Sequence, residues 1–260
     1  TYRHHLETVR AKVSSRNNLL CRLAGSPWGA STHTLRTSAL ALVYSAAEYA
    51  SPAWCRSSHT NKLDTCLNTM RIITGCLRPT PTEFLPVLSG IAPAALRREH
   101  HTNSLVNKAL SDDNHLLHST VRESLQLGRQ RLPSRNPFCR HAAALRSSPF
   151  NATQSWITSW QSTLKPDQLT IQPKSELPPG GNLPRKEWVT LNRIRTGVGR
   201  FNYNMYRWGL SPSAACTCGF ATQTAAHILN HCPTYRPPVD VDLVDPDQAT
   251  VNWLRHLPDI

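Results

Sequence analysis

The 260-residue sequence predicts a mainly α-helical chain in three consecutive parts. These are a helical block over residues 1–110, a loop-rich connector over 111–183 and a small helical module over 184–260. Three observations predict this organisation. In the first block, apolar residues recur at the three- and four-residue spacing of amphipathic helices. In the middle, Pro and Ser interrupt the chain and little periodicity survives. Near the end, Cys and His cluster behind a basic segment.

Leu6, Val9, Val13, Leu20 and Leu23 place residues 3–24 in one amphipathic helix, ended by Gly25-Ser26-Pro27. Ser31 or Thr32 is the N-cap of a second helix, which runs through Leu35, Ala39, Leu42, Val43, Ala46 and Tyr49 to Pro52. Leu63, Cys66, Leu67, Met70 and Ile73 define a third, closed by Gly75. Pro79-Thr80-Pro81 forces an extended link. Thr82 caps a short helix through Leu88, and Pro93 opens a longer one to about Leu110. The connector carries short helices around Leu117–Leu127, Phe138–Leu145 and Ala152–Leu164. In the last of these, Trp156 and Trp160 lie four apart as a packed stripe rather than a base-stacking platform. Pro178-Pro179-Gly180-Gly181 marks a boundary, after which Pro184 begins a helix through Trp188, Leu191 and Ile194.

Cys216, Cys218, His227 and Cys232 carry the most specific chemistry. Thiolates and a neutral imidazole suit zinc, and structural zinc sites close the metal with four protein ligands. Gly219 allows the tight turn that lets two sulfurs converge. Gln223–Asn230 reads as a short helix holding His227. A separation of five residues sets Cys232 about 140° from His227 on a regular helix, so Cys232 lies just past its end, where Pro233 stops it. His231, on the same helical face as His227, is an alternative fourth ligand. C-x-C is tighter than most zinc spacings, and a redox pairing or plain buried thiols would use the same residues. No H-E-x-x-H accompanies the cluster as an open catalytic zinc site would require.

Cys21, Cys55, Cys66, Cys76 and Cys139 are scattered, and eight cysteines are too few for a disulfide scaffold. No signal peptide opens the sequence, and no apolar run reaches the roughly 18 residues that span a bilayer. A reducing intracellular compartment and no membrane partner are expected. Thr1 at the start points to a fragment or processed product.

The net charge is +13 with a pI near 9.8. Residues 1–210 hold 27 basic and 11 acidic side chains, and the rest of the chain is net acidic. Such a surplus on a helical body is an electrostatic footprint for a polyanion, or else a solubilising surface. Arg185, Lys186, Arg193, Arg195 and Arg200 make the last part strongly basic, and the guanidinium fork matches phosphate. Tyr203, Tyr206, Arg207 and Trp208 interleave aromatic and basic groups as nucleic-acid surfaces do. On a second reading Trp188, Tyr206 and Trp208 are core and the arginines alone are functional.

Several segments together resemble a family. Leu191-Asn192-Arg193-Ile194-Arg195-Thr196-Gly197, Arg207-Trp208-Gly209-Leu210, Cys216-Thr217-Cys218-Gly219, Gln223-Thr224, His227-Ile228-Leu229 and Cys232-Pro233 resemble the C-terminal end of non-LTR (LINE-type, jockey-like) retrotransposon reverse transcriptases. Leu35–Cys55, LRTSALALVYSAAEYASPAWC, and Leu63–Pro81, ending in ITGCLRPTP, resemble the polymerase thumb that follows the palm. The resemblance implies a thumb-like bundle, a connector and a CCHC zinc-binding tail with Cys232 rather than His231 as fourth ligand. It also implies a parent RNA-directed DNA polymerase that copies its own RNA at a nicked target with two Mg²⁺ ions. No Tyr-x-Asp-Asp is present here, and Asp112-Asp113 lies in a polar turn. Mg²⁺ and the catalytic aspartates would therefore belong to the polymerase domain upstream.

The expectation is a non-catalytic part of such a protein that grips template RNA and target DNA during target-primed reverse transcription. It would be joined to the rest of the reverse transcriptase and act in the nucleus at the site of integration. Arg185, Lys186, Arg193, Arg195, Arg200 and Arg207 would meet phosphates, and the zinc would be structural. Two other classes fit the same features: a host-adopted zinc-dependent nucleic-acid-binding protein and a zinc-stabilised protein-interaction module.

Overall fold

The computed structural model describes residues 2–25, 28–126, 150–164, 171–238 and 240–260. The expected helix Phe138–Leu145 and Cys139 lie outside them. The helices, in chain order, are α1 (Arg3–Leu23), α2 (Thr32–Ser38), α3 (Ser51–Trp54), α4 (Leu67–Thr74), α5 (Phe84–Ser89), α6 (Ala94–Ser111), α7 (His118–Gln126), α8 (Ala152–Thr163), α9 (Arg185–Thr196), α10 (Asn202–Arg207), α11 (Ala225–Asn230) and α12 (Gln248–His256). Among the described residues no strand forms, so the chain is mainly α.

Local chemistry explains most boundaries. Ser31 Oγ accepts from Thr34 N and starts α2, which continues as a π-helical stretch, Ala39–Tyr44, and a last α-helical turn, Ser45–Ala47. This helix does not reach Pro52, because a proline inside a helix removes a donor and clashes with the preceding turn. The chain instead breaks at Ala50, in the left-handed region at φ 53°, and restarts as α3 with Pro52 in the first turn. A 3-10 turn, Thr60–Cys66, leads into α4, and Pro93 opens α6 as expected.

The chain forms two compact units built from alternating segments. One comprises Thr1–Asn17, Leu40–Cys66 and Ala92–Thr163; the other comprises Asn18–Ala39, Leu67–Ile91 and Leu164–Ile260. In the first, α6 packs against α3, α7 and α8. Leu6, Val9 and Val13 of α1 are buried, as are Trp156 and Trp160 of α8, which confirms the packed tryptophan stripe. Arg97 pairs with Glu48, donates to the Ala92 carbonyl and lies 4.4 Å from the Tyr44 ring centroid.

The second unit is organised by the way α9 closes the end of α4. The last carbonyls of a helix have no partner within it and must be satisfied from outside. Here Arg71 O accepts from Gly75 N at 2.8 Å, and Ile72 O accepts from Arg185 Nη2. Ile73 O accepts from Arg185 Nη1 and from Trp188 Nε1, the latter at 3.1 Å. Thr74 O accepts from Asn192 Nδ2 at 3.0 Å and Gly75 O from Arg193 Nε at 3.3 Å. Residues 185, 188 and 192 recur at helical spacing and share one face of α9. Gly75 is required twice over. Its φ is +73°, and a Cβ there would sit 2.3 Å from Val189 Cγ2.

The core of this unit joins Trp188, Leu191 and Ile194 of α9 with Phe201, Ala225, Ile228, Trp253, Leu254, Leu257 and Ile260. Sequence reasoning missed α12. Its signal was Asp247, which accepts from Thr250 N at 2.8 Å ahead of Val251, Trp253 and Leu254, but prolines and aspartates upstream obscured it. The Pro178–Gly181 segment is packed rather than open: Pro179 O accepts from Arg195, and Gly181 N donates to Pro178 O.

Candidate metal centre

A turn and a helix bring the four ligands together. Cys216 N donates to Phe220 O at 2.9 Å and Gly219 N to Cys216 O at 3.0 Å, which folds residues 216–220 into a tight turn. Gly219 adopts φ 92°, the left-handed conformation this turn requires. Thr224 caps α11 by accepting from His227 N at 3.1 Å and so fixes the imidazole one turn in. Beyond the helix, the N–H groups of His231 and Cys232 both donate to His227 O. That turn carries Cys232 back toward the cluster and leaves His231 exposed.

The ligand atoms of Cys216, Cys218, His227 and Cys232 all lie within 4.8 Å of one another. Cys216 Sγ and Cys232 Sγ are 3.7 Å apart, and Cys218 Sγ is 3.3 Å from His227 Nε2. A tetrahedral zinc with bonds of about 2.3 Å to sulfur and 2.0–2.1 Å to nitrogen requires edges of about 3.8 Å and 3.6 Å. A disulfide requires about 2.05 Å, and all three cysteines are free thiols. His227 is buried with Nε2 turned to the Cys218 sulfur, while its Nδ1 has no hydrogen-bond partner. The donor set and its spacing fit a four-coordinate structural metal.

The thiols are tuned unequally. Burial pushes the Cys216 thiol up, but hydrogen bonds from Cys218, Gln223 and His227 outweigh it and bring the group down to about 6. At Cys218 the Phe220 backbone N–H favours the thiolate, yet burial and the neighbouring Cys216 and Cys232 hold its pKa above the ordinary thiol value. Cys216 is thus readily ionised, and Cys218 resists a second negative charge beside it.

Around the ligands, the Phe220 ring stacks on His227 with centroids 4.5 Å apart and planes 7° from parallel. Gln223 Nε2 donates to Cys216 Sγ at 3.5 Å. Neither role was legible in the sequence, where Gln223 marked the start of a helix and, with Thr224, one segment of the resemblance. Thr217 Oγ1 donates to Tyr235 Oη at 3.2 Å, and Trp253 Nε1 donates to Tyr235 O at 2.7 Å, which joins the turn to α12.

The six basic residues expected to meet phosphate divide into two groups. Arg185, Arg193 and Arg195 are buried. Besides the α4 carbonyls, Arg193 binds Asp259 at 3.1 Å and the Ile260 backbone oxygen. Arg195 donates to Leu243 O at 2.7 Å, Pro179 O at 2.9 Å, Val244 O at 3.1 Å and Asn192 Oδ1 at 3.2 Å. Burial lowers all three guanidinium pKa values, to about 10 for Arg185 and Arg195, so the groups remain charged at neutral pH. Most of these donors serve backbone carbonyls, the Asp259 carboxylate and the Asn192 amide oxygen. Lys186, Arg200 and Arg207 are exposed. Arg200 pairs with Asp259, and Arg207 lies 5.8 Å from the Tyr203 ring centroid. Among the aromatics, Trp188 is core and Tyr206 is 53 % exposed.

No helix among the described residues is long and apolar enough to cross a membrane. No family model matches the chain, and no solved structure does. The chain is 24 % identical over 266 residues to a 115 kDa protein in type-1 retrotransposable element R1DM of Drosophila melanogaster. That similarity covers 96 % of this chain and 24 % of the relative, so the chain spans about a quarter of the relative's length. Along nearly its whole length, the chain is therefore similar to a retrotransposon protein.

Proposed function

We propose that this chain is the thumb, connector and CCHC tail of a non-LTR retrotransposon reverse transcriptase. In this reading it grips template RNA and target DNA during target-primed reverse transcription, in the nucleus at the integration site, and the polymerase aspartates and Mg²⁺ lie elsewhere in the parent protein. The carrying observation is the convergence of Cys216, Cys218, His227 and Cys232 in a chain related to a retrotransposon protein. Zinc is the metal these ligands suit, as a structural staple. The phosphate contacts fall to Lys186, Arg200 and Arg207, the exposed members of the basic set.

The test is binding of single-stranded RNA across a salt series. Three phosphate contacts predict a slope of about −2 in log affinity against log salt, or a loss of about 20-fold between 50 and 200 mM. Affinity that stays flat over that range would sink the reading. It would favour a zinc-stabilised protein-interaction module, for which exposed Leu210, Phe220 and Tyr206 are the specific observation.

A further inference from the structure

Helix α10 begins without a cap of its own, because Phe201 before it makes no side-chain hydrogen bond. Its first two N–H groups both go to Gln223. Asn202 N donates to Gln223 Oε1 at 3.0 Å, and Tyr203 N donates to the Gln223 carbonyl at 3.2 Å. A backbone N–H can face only the oxygen of an amide, which fixes the amide's orientation and turns Nε2 the other way. There Nε2 donates to Cys216 Sγ. Gln223 is 5 % exposed, so water does not compete for these bonds. The strand of backbone beside Cys216 holds the same corner: Ala214 O accepts from Gln223 N at 2.8 Å, and Ala215 O accepts from Asn202 Nδ2 at 2.7 Å.

We infer that Gln223 is a positioning residue that couples the metal centre to the first turn of α10, and through it to exposed Arg207 at the other end of that helix. The inference rests on the reading of Cys216, Cys218, His227 and Cys232 as metal ligands. Gln223 thus holds the Cys216 sulfur through Nε2 and the first turn of α10 through Oε1 and its own carbonyl. One amide therefore sets the position of Cys216 and of the start of α10 together. Outer partners of this kind orient metal ligands, and losing them typically weakens metal affinity 10- to 100-fold.

The test uses the full chain, reduced and loaded with Co²⁺, whose thiolate bonds give an absorption band. Chelator competition reads retention, and hydrogen exchange reads the Asn202 amide. Gln223→Glu keeps the oxygen that accepts from Asn202 N but sets a carboxylate against the sulfur. It should weaken cobalt retention about 10-fold or more and shift the band, with the Asn202 amide still protected. Gln223→Leu removes both bonds and should also speed exchange at Asn202. If Gln223→Leu does not fold, Gln223→Glu, unchanged in size, decides. Wild-type retention and an unmoved band in Gln223→Glu would overturn the inference while leaving the metal centre intact. Failure of the wild-type chain to take up cobalt would overturn the metal reading and this inference with it.

Discussion

Replacing Arg185 separates a structural guanidinium from a phosphate-binding one. Arg185→Met keeps most of the apolar stem and removes two charged hydrogen bonds, to Ile72 O and Ile73 O. Bonds to charged groups contribute about 1.5–3 kcal/mol each, which sets a gross loss of about 3–6 kcal/mol. Two features reduce it. Ile73 O keeps Trp188 Nε1 as a partner, and burying the guanidinium, whose Nε has none, is itself costly. The net loss is about 2–4 kcal/mol, a large share of the 5–15 kcal/mol that stabilises a typical domain. Since the chain has two compact units, a local readout serves better than a global melt. The Gly75 amide, bonded to Arg71 O at the same helix end, should exchange roughly 30- to 700-fold faster in the variant, at 1.4 kcal/mol per tenfold. Arg207→Met should leave that exchange unchanged and weaken RNA binding. Gly75 exchange within threefold of wild type in Arg185→Met, together with reduced RNA affinity, would refute the capping role.

Purified under reducing conditions, the chain should carry about one zinc, which Cys216→Ser and Cys232→Ala abolish and His231→Ala leaves in place; elemental analysis of the three variants checks the ligand set. Gly75→Ala should destabilise by about 1–2 kcal/mol from the left-handed backbone alone, and by more if Val189 cannot move, as measured by hydrogen exchange in α4. The Thr250 backbone N–H bonded to its carboxylate holds the Asp247 pKa below its ordinary value, so its stabilisation of α12 is fully present above that value and is lost as pH falls through the folded one. Asp247→Asn keeps a cap but does not titrate, so the acid dependence of α12 unfolding should flatten; an identical acid slope in both proteins would contradict the assignment.

The helices most legible in the sequence are those whose burial follows a simple period or whose ends carry a cap. Leu6, Val9 and Val13 mark α1, Ser31 marks the start of α2, and Pro93 marks α6, because each depends on neighbours within one or two turns. The metal cluster was legible for a related reason: turn, helix and ligand spacing are local. The packing of α8 on α6 was not, since it depends on contacts about fifty residues apart. Gln223 also escaped, because a glutamine before a helix carries no spacing signal until the structure sets it between Cys216 and α10.

The arginines show that a basic helix can answer backbone carbonyls as well as phosphate. Arg185, Arg193 and Arg195 occupy a basic helix, and phosphate was the natural partner to assign them. A helix C-terminus presents unpaired carbonyls at the negative end of its dipole, and so asks for the same planar, multidentate cation. Arg36 repeats the solution at the end of α5, donating to Ser89 O at 3.2 Å and Gly90 O at 2.8 Å. Two of the segments quoted for the resemblance, Ile73-Thr74-Gly75 and Asn192-Arg193, are in direct contact as acceptor and donor, which ties α9 to the end of α4. The case for nucleic acid passes to the exposed Lys186, Arg200 and Arg207, and only Arg207 stands on the helix that Gln223 ties to the metal ligands.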